Sequence, residues 1–296
     1  MTGRREFIYS TAAFAVAGHV LGSVREEDRY SSLQREIDRV RVDDFKSYIT
    51  DFKPEMLREH SALQRLESVF DQVLARVRET KVADRPAVWF LYNMGIVVKT
   101  RETCFAIDLM HRRGEEIAPC LDFALITHNH GDHYTEAFYG AMNDAGKPVI
   151  SNFKDNYGVK DRKSGGYTRA VKTFKIKDVE ITTGLADHNS YLVDFTSTFE
   201  VATRGFCLYH TGDCSNLAKL NPSTTPDIWC VHPRCGLDPV AAVKKFRPKQ
   251  TAVLHLNELG HQTKWRWTWR QGLAVKKSIE QIGGTAIVPI WGDQIS

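Results

Sequence analysis

The spacing of apolar positions changes twice along the chain. After Pro54, the residues Met56, Leu57, Leu63, Leu66, Val69, Phe70, Val73, Leu74 and Val77 recur at three- and four-residue steps. That spacing predicts a helix with one buried stripe and Pro54 in its first turn. Ahead of it, residues 25–50 are rich in charge and helix formers. From Ala87 the pattern turns to short apolar runs. Ala87–Tyr92, Ile96–Val98, Cys104–Asp108 and Asp122–Thr127 read as strands, Thr135–Asp144 as a helix and Pro148–Ile150 as a strand. Residues 152–170 are polar, with Gly158, Gly165 and Gly166, and predict a long loop that is either functional or a plain insertion. Beyond it, Val171–Ile176 and Val179–Thr183 predict a hairpin, and Tyr191–Val193 and Phe206–His210 further strands. Strands at Ile228–Val231, Ala252–His255 and Ala286–Ile290 then alternate with helices at Pro239–Phe246 and Trp265–Ile282. Strand runs followed by alternation predict an α/β (α+β) architecture, mixed sheets with helices outside.

Composition narrows this only a little. The 296 residues allow one large domain or two small ones, and 42% hydrophobic content is enough for a sizeable core. A formal charge of +4 is too slight to argue for nucleic acid as a partner. No apolar run is long enough to span a bilayer. The six cysteines have no Cys-x-x-Cys pair, which argues against a structural zinc knuckle; core thiols are the preferred reading, with disulfides open if the protein is exported.

The chemistry concentrates in one place. His128, His130, Asp132 and His133 put four metal-ligating side chains within six consecutive residues, directly behind the apolar run ending at Thr127. Residues two apart in an extended or looping backbone point the same way, so His128 and His130 can converge on one point, with Asp132 and His133 aimed at a neighbouring one. Imidazole with carboxylate suits a borderline cation such as zinc, with iron or manganese as alternatives. The sequence offers no Gly-x-Ser-x-Gly elbow and no phosphate-cradling glycine loop to suggest another mechanism.

His-x-His-x-Asp-His resembles the signature of the metallo-β-lactamase superfamily, and the resemblance extends over roughly residues 86–292. His188 after a predicted strand, Asp213 in Tyr209-His210-Thr211-Gly212-Asp213 and His255 at a predicted strand end match the later elements of the family pattern in chain order. The resemblance implies a four-layer αββα sandwich over 86–296 with a helical extension over 23–85. It also implies two divalent metals: one held by His128, His130 and His188, the other by Asp132, His133 and His255, with Asp213 bridging. The cations would share and activate a water, and Asp132 or a bound water would handle the proton. His133 directly after Asp132 sets the chain apart from the largest group of zinc β-lactamases. It resembles instead the lactonases, glyoxalase II-type thioesterases and phosphodiesterases, and the L-ascorbate-6-phosphate lactonase-like branch most of all. A small-molecule substrate follows from that resemblance.

Other histidines have weaker assignments. His261 competes with His255 and either lines the pocket or faces solvent, whereas His232 could reach the mouth of the site. His210 reads as structural, and Asp108 and Asp122 as residues that orient loops or ligands. The same fold also admits a di-iron redox protein, or a scaffold in which the metal is structural. At the N-terminus, Arg4-Arg5-x-Phe7-Ile8 ahead of a small-residue apolar stretch resembles a twin-arginine export signal over residues 1–22. That implies a periplasmic protein cleaved after Ala17 or Gly22; the alternative is an amphipathic helix on a cytoplasmic one. The helices of the extension either pack on the main domain, the preferred reading, or mediate self-association.

Overall fold

A computed structural model describes residues 30–154 and 171–296. The export-signal reading and all but the first residues of the predicted 152–170 loop lie outside the described residues.

Helical residues 30–37 (α1) lead into Val42–Thr50 (α2), Glu55–Glu59 (α3) and Ser61–Glu79 (α4). The apolar stripe of α4 is buried as its spacing predicts, from Leu63 to Val77. The helix expected after Pro54 is nevertheless two helices. His60 is extended (φ −129°, ψ 98°) and its Nε2 lies 3.4 Å from Asp44, so Met56 and Leu57 fall on the separate α3.

A five-stranded sheet follows, in the order β1 (Ala87–Tyr92), β2 (Gly95–Lys99), β3 (Cys104–Ile107), β4 (Phe123–Leu125), β5 (Val149–Ile150). β1 to β3 are antiparallel neighbours; β3, β4 and β5 are parallel. A second sheet has seven strands: β6 (Thr173–Ile176), β7 (Val179–Ala186), β8 (Thr196–Thr203), β9 (Phe206–His210), β10 (Ile228–Val231), β11 (Gln250–Val253) and β12 (Ala286–Ile287), adjacent in sequence order. β6 to β9 are antiparallel and β9 to β12 parallel. Every residue of β1, β3, β4, β9 and β10 is buried, which marks sheets covered on both faces. α4 lies against β1, and α5 (Glu136–Asp144) against β5. α7 (Trp269–Glu280) lies against β11 and β12, with α6 (Pro239–Phe246) beside it. Helices flank both sheets, giving the four layers. Side chains from the N-terminal helices, including Leu33, Ile37 and Phe45, belong to the same core as both sheets.

Two departures from the sequence reading concern β7 to β9. Tyr191–Val193 is a turn, not a strand: Asn189 Oδ1 accepts from the amides of Tyr191 and Leu192 (2.9 Å each), and Tyr191 is 91% exposed. The missing strand is β8, rich in threonine, whose small hydroxyl side chains give no apolar alternation although they are buried between β7 and β9. In addition, the last helix starts later than expected. Thr268 caps α7 through a capping box with Gln271, leaving Trp265 on the short 3₁₀ turn Thr263–Trp265 before it.

Candidate metal centre

With the exception of His261, every candidate ligand lies just beyond the C-terminal end of a strand. The His128–His133 run follows β4, His188 follows β7, Asp213 β9, His232 β10 and His255 β11. β7, β9, β10 and β11 run in one direction, so their ends share one edge of the seven-stranded sheet. Side-chain donors from these ends fall into overlapping groups whose ligand atoms lie within 4.8 Å of one another. His128, His130 and His188 form one group, and Asp132, His133 and His255 another. Asp213 stands between them. Its Oδ2 is 3.5 Å from His188 Nε2 and 3.4 Å from His255 Nε2, and its Oδ1 is 3.5 Å from His133 Nε2.

Local structure fixes these side chains from behind. His133 Nδ1 lies 2.8 Å from Asp108 Oδ2, and His128 Nδ1 lies 3.0 Å from Thr127 Oγ1. Thr127 Oγ1 donates its own proton to Asp108 Oδ2 (2.7 Å), so it accepts from His128. Both rings therefore carry the proton on Nδ1 and turn an Nε2 lone pair inward. Asn93 Nδ2 donates to the Asp132 carbonyl (2.9 Å) and to Asp132 Oδ2 (3.2 Å), and the Asn93 carbonyl accepts from the His255 amide (2.9 Å). Asn93, Asp108 and His255 all sit at left-handed φ (55°, 48° and 57°), a conformation that non-glycine residues adopt at a cost and that clusters at functional sites. β11 ends at Val253, so His255 is a loop residue held in this conformation rather than the strand-end residue the sequence suggests. Gly212 (φ 49°) delivers Asp213: a Cβ there would meet Thr127 Cβ and Thr196 Cγ2 at 2.8 Å.

The decisive test of fit is which atoms lack partners. Among the described residues, His128 Nε2, His133 Nε2, His188 Nε2 and Asp213 Oδ1 are buried without a hydrogen-bond partner. An unsatisfied buried polar atom costs about 1–3 kcal/mol. Here the unsatisfied atoms face one another around one volume, and cations held between them satisfy them together. This imidazole-rich donor set fits a divalent transition metal.

Charge balance is consistent with that. Burial disfavours charge on Asp213, but the His255, His232 and His133 rings outweigh it and hold the carboxyl well below its usual range. Burial likewise opposes charge on His255, yet the carboxylates of Asp213 and Asp132 push it up to about 10; His133 is raised in the same way by Asp132, Asp213 and Asp108. Burial and the neighbouring His133 drive His128 well below 6.5. The carboxylates are thus balanced either by protons on His133 and His255 or by cations, so cation binding releases protons.

His232, expected at the mouth, stands inside the cluster: its ring stacks on His255 at 3.8 Å, and it groups with Asp213 and His255. His261 forms part of the pocket wall, half-exposed and 2.9 Å from Glu258 Oε2. His210 donates from Nε2 to the Met94 carbonyl (3.0 Å), a structural bond. Asp122 accepts from the Cys104 amide and so orients a loop. All six cysteines are free, and Cys235 groups with His188 and Asp213, a donor the cysteine spacing gave no reason to single out. Asn93 carries no sequence signal either, since Tyr92-Asn93-Met94-Gly95 looks like an ordinary turn between strands. A cavity of about 360 Å³ opens on the cluster. A second, of about 330 Å³, shares Asp132, Glu258 and His261 with it and is walled by Phe45 and Ile49 of α2.

No family model matches the chain, and no curated protein matches it. Solved structures do. Igni18, a metallo hydrolase from the archaeon Ignicoccus hospitalis, aligns with a TM-score of 0.55 at 18% identity, covering 71% of this chain and 97% of that one. The metallo-β-lactamase fold protein YhfI of Bacillus subtilis gives 0.51 at 13% identity, over 71% and 99%. CmlA, a diiron β-hydroxylase from Streptomyces venezuelae, gives 0.50 at 12% identity, over 71% of this chain and 54% of that one. At these identities the likeness speaks for architecture alone. The two mixed sheets, their flanking helices and these alignments agree: the chain has the metallo-β-lactamase fold.

Proposed function

We propose that this protein is a metal-dependent hydrolase with a two-cation centre, acting on a lactone, ester or phosphodiester. The observation that carries the reading is the set of inward-facing, unpartnered atoms on His128, His133, His188 and Asp213. His128, His130 and His188 would hold one cation, Asp132, His133 and His255 the other, and Asp213 both; zinc suits these ligands best, with manganese or iron as alternatives. Bound there, the cations supply Lewis acidity and lower the pKa of a shared water. The chain's own residues do the rest. Asp132, oriented through Oδ2 by Asn93 Nδ2, or a bound water would take the proton from the attacking water. Asp108 and Thr127 keep the His133 and His128 rings in the ligating tautomer. The test is metal content by elemental analysis coupled to hydrolysis assays on small lactones, thioesters and phosphodiesters. About two metals per chain and turnover of at least one substrate are expected; no turnover by metal-replete protein would refute the reading.

A second reading on the same ligands is a di-iron redox centre: imidazole with carboxylate also suits iron, and CmlA, which shares the architecture, is a diiron β-hydroxylase. Iron with its characteristic visible absorption, and oxygen consumption without hydrolysis, would establish it instead. We also propose export through the signal-like Arg4-Arg5 segment, which N-terminal sequencing of the mature protein tests.

A further inference from the structure

The cavity over the cluster has an asymmetric rim. Its carboxylates face histidines or hydrogen-bond donors: Asp132 and Asp213 lie among the ligand histidines, and Glu258 Oε1 accepts from Tyr92 Oη (3.1 Å) and the Gly260 amide (2.6 Å) while its Oε2 lies 2.9 Å from His261 Nδ1. Arg266 is committed, its guanidinium donating to the carbonyls of Ile37, Val40, Leu259 and His261. Arg234 differs. It lines the same cavity, yet among the described residues its guanidinium has no carboxylate or carbonyl partner. It lies over the ring of Trp265, 5.5 Å from the centroid. Trp265 is 55% exposed, a large apolar ring at the mouth of a polar cavity, and Lys264 Nζ lies 5.5 Å from the same ring. A guanidinium braced on an aromatic face, with its donors unspent, is pre-organised to take an oxyanion in bidentate fashion.

We infer that Arg234, held against Trp265, is an anion subsite, and that the substrate carries a carboxylate, phosphate or sulfate group apart from the bond that is cleaved. This rests on the hydrolase reading for the identity of the occupant, but the subsite itself is defined by Arg234 and Trp265. Neither belongs to the metal-ligand groups. The energetics favour recognition there: the anion meets a half-buried guanidinium that has no protein hydrogen-bond acceptor among the described residues, so no protein hydrogen bond has to be broken on binding.

The experiment is calorimetric titration of the zinc-loaded full chain with benzenesulfonate, a weak metal ligand with no bond to hydrolyse, beside the neutral methyl phenyl sulfone. Benzenesulfonate is expected to bind about tenfold tighter. Arg234→Gln should remove that preference and Arg234→Lys keep part of it, with zinc content unchanged in both. Trp265→Ala should weaken both ligands about threefold. Equal affinities in the wild type, or a preference that survives Arg234→Gln, would overturn the subsite. So would a preference that disappears when zinc is chelated, because the anion would then be bound to the metals. A substrate panel without turnover would remove the hydrolase reading and leave this titration untouched.

Discussion

Two buried polar clusters lie within this fold, and they contrast instructively. Beneath the N-terminal helices, Glu67 accepts from Tyr48 Oη (2.6 Å), Arg112 (2.5 and 3.0 Å) and Arg113 (3.1 Å). His111 completes the group: its Nδ1 accepts from the Arg113 amide (3.2 Å) and its Nε2 lies 3.1 Å from Tyr48 Oη. Its ring stacks on Phe70 at 4.2 Å. Every polar atom of that histidine has a partner. At the sheet edge, His128, His133 and His188 are just as enclosed by polar neighbours, yet each leaves one ring nitrogen unsatisfied. Burial of a histidine beside a carboxylate is common to both clusters and distinguishes nothing. What separates a structural cluster from a binding one is whether its hydrogen bonds close.

That contrast can be broken experimentally, most severely at the open cluster. His133→Ala should abolish hydrolysis and remove about one metal per chain while the protein stays folded, which elemental analysis and circular dichroism check together. At the closed cluster the opposite pattern is expected. Glu67→Ala strands the Arg112 guanidinium and should cost about 3 kcal/mol of stability in urea denaturation, with metal stoichiometry unchanged.

The closed cluster should also respond to acid. Burial, the largest effect on His111, lowers its pKa from 6.5 to about 4 in the fold. Between those values the unfolded chain binds the proton and the native one does not. Stability from this group is therefore fully present above about pH 6.5 and falls as pH drops towards about 4, by on the order of 3 kcal/mol. Glu67, whose pKa is held low by Arg112 and Tyr48 against the cost of burial, adds a loss of the same sign at still lower pH. Denaturation midpoints from pH 7 to 4 check this, and His111→Gln should flatten the slope.

The smallest effect expected is at the support of the open cluster. Asp108→Asn should weaken metal affinity about 10- to 100-fold without removing a ligand, because Asp108 Oδ2 fixes the His133 ring directly and the His128 ring through Thr127 Oγ1. Competition with a chromophoric chelator measures it.

What is legible in the sequence depends on range. The α4 stripe, the α6 helix and the apolar strands were legible because period and composition are local properties. β8 was not, since its threonines are buried by neighbouring strands rather than by their own hydrophobicity. Nor was the turn at Tyr191, where a single side-chain acceptor on Asn189 redirects the chain. The sequence reads Asp108 as a residue that orients loops or ligands; which ring it orients only the structure shows.

For the site, the sequence by itself determined the cluster from His128 to His133, since donors at that spacing are already neighbours along the backbone. It also supplied the order of His188, Asp213 and His255. Tertiary structure alone decided that those three meet the cluster, by running β7, β9, β10 and β11 the same way so that their ends share an edge. It likewise decided that His232 and Cys235 stand close enough to Asp213 to share a cation with it, and that among the described residues Arg234 is left with its donors free. The physical reason is that convergence of residues far apart in the chain is a property of strand direction and register, which are set by packing of the whole sheet.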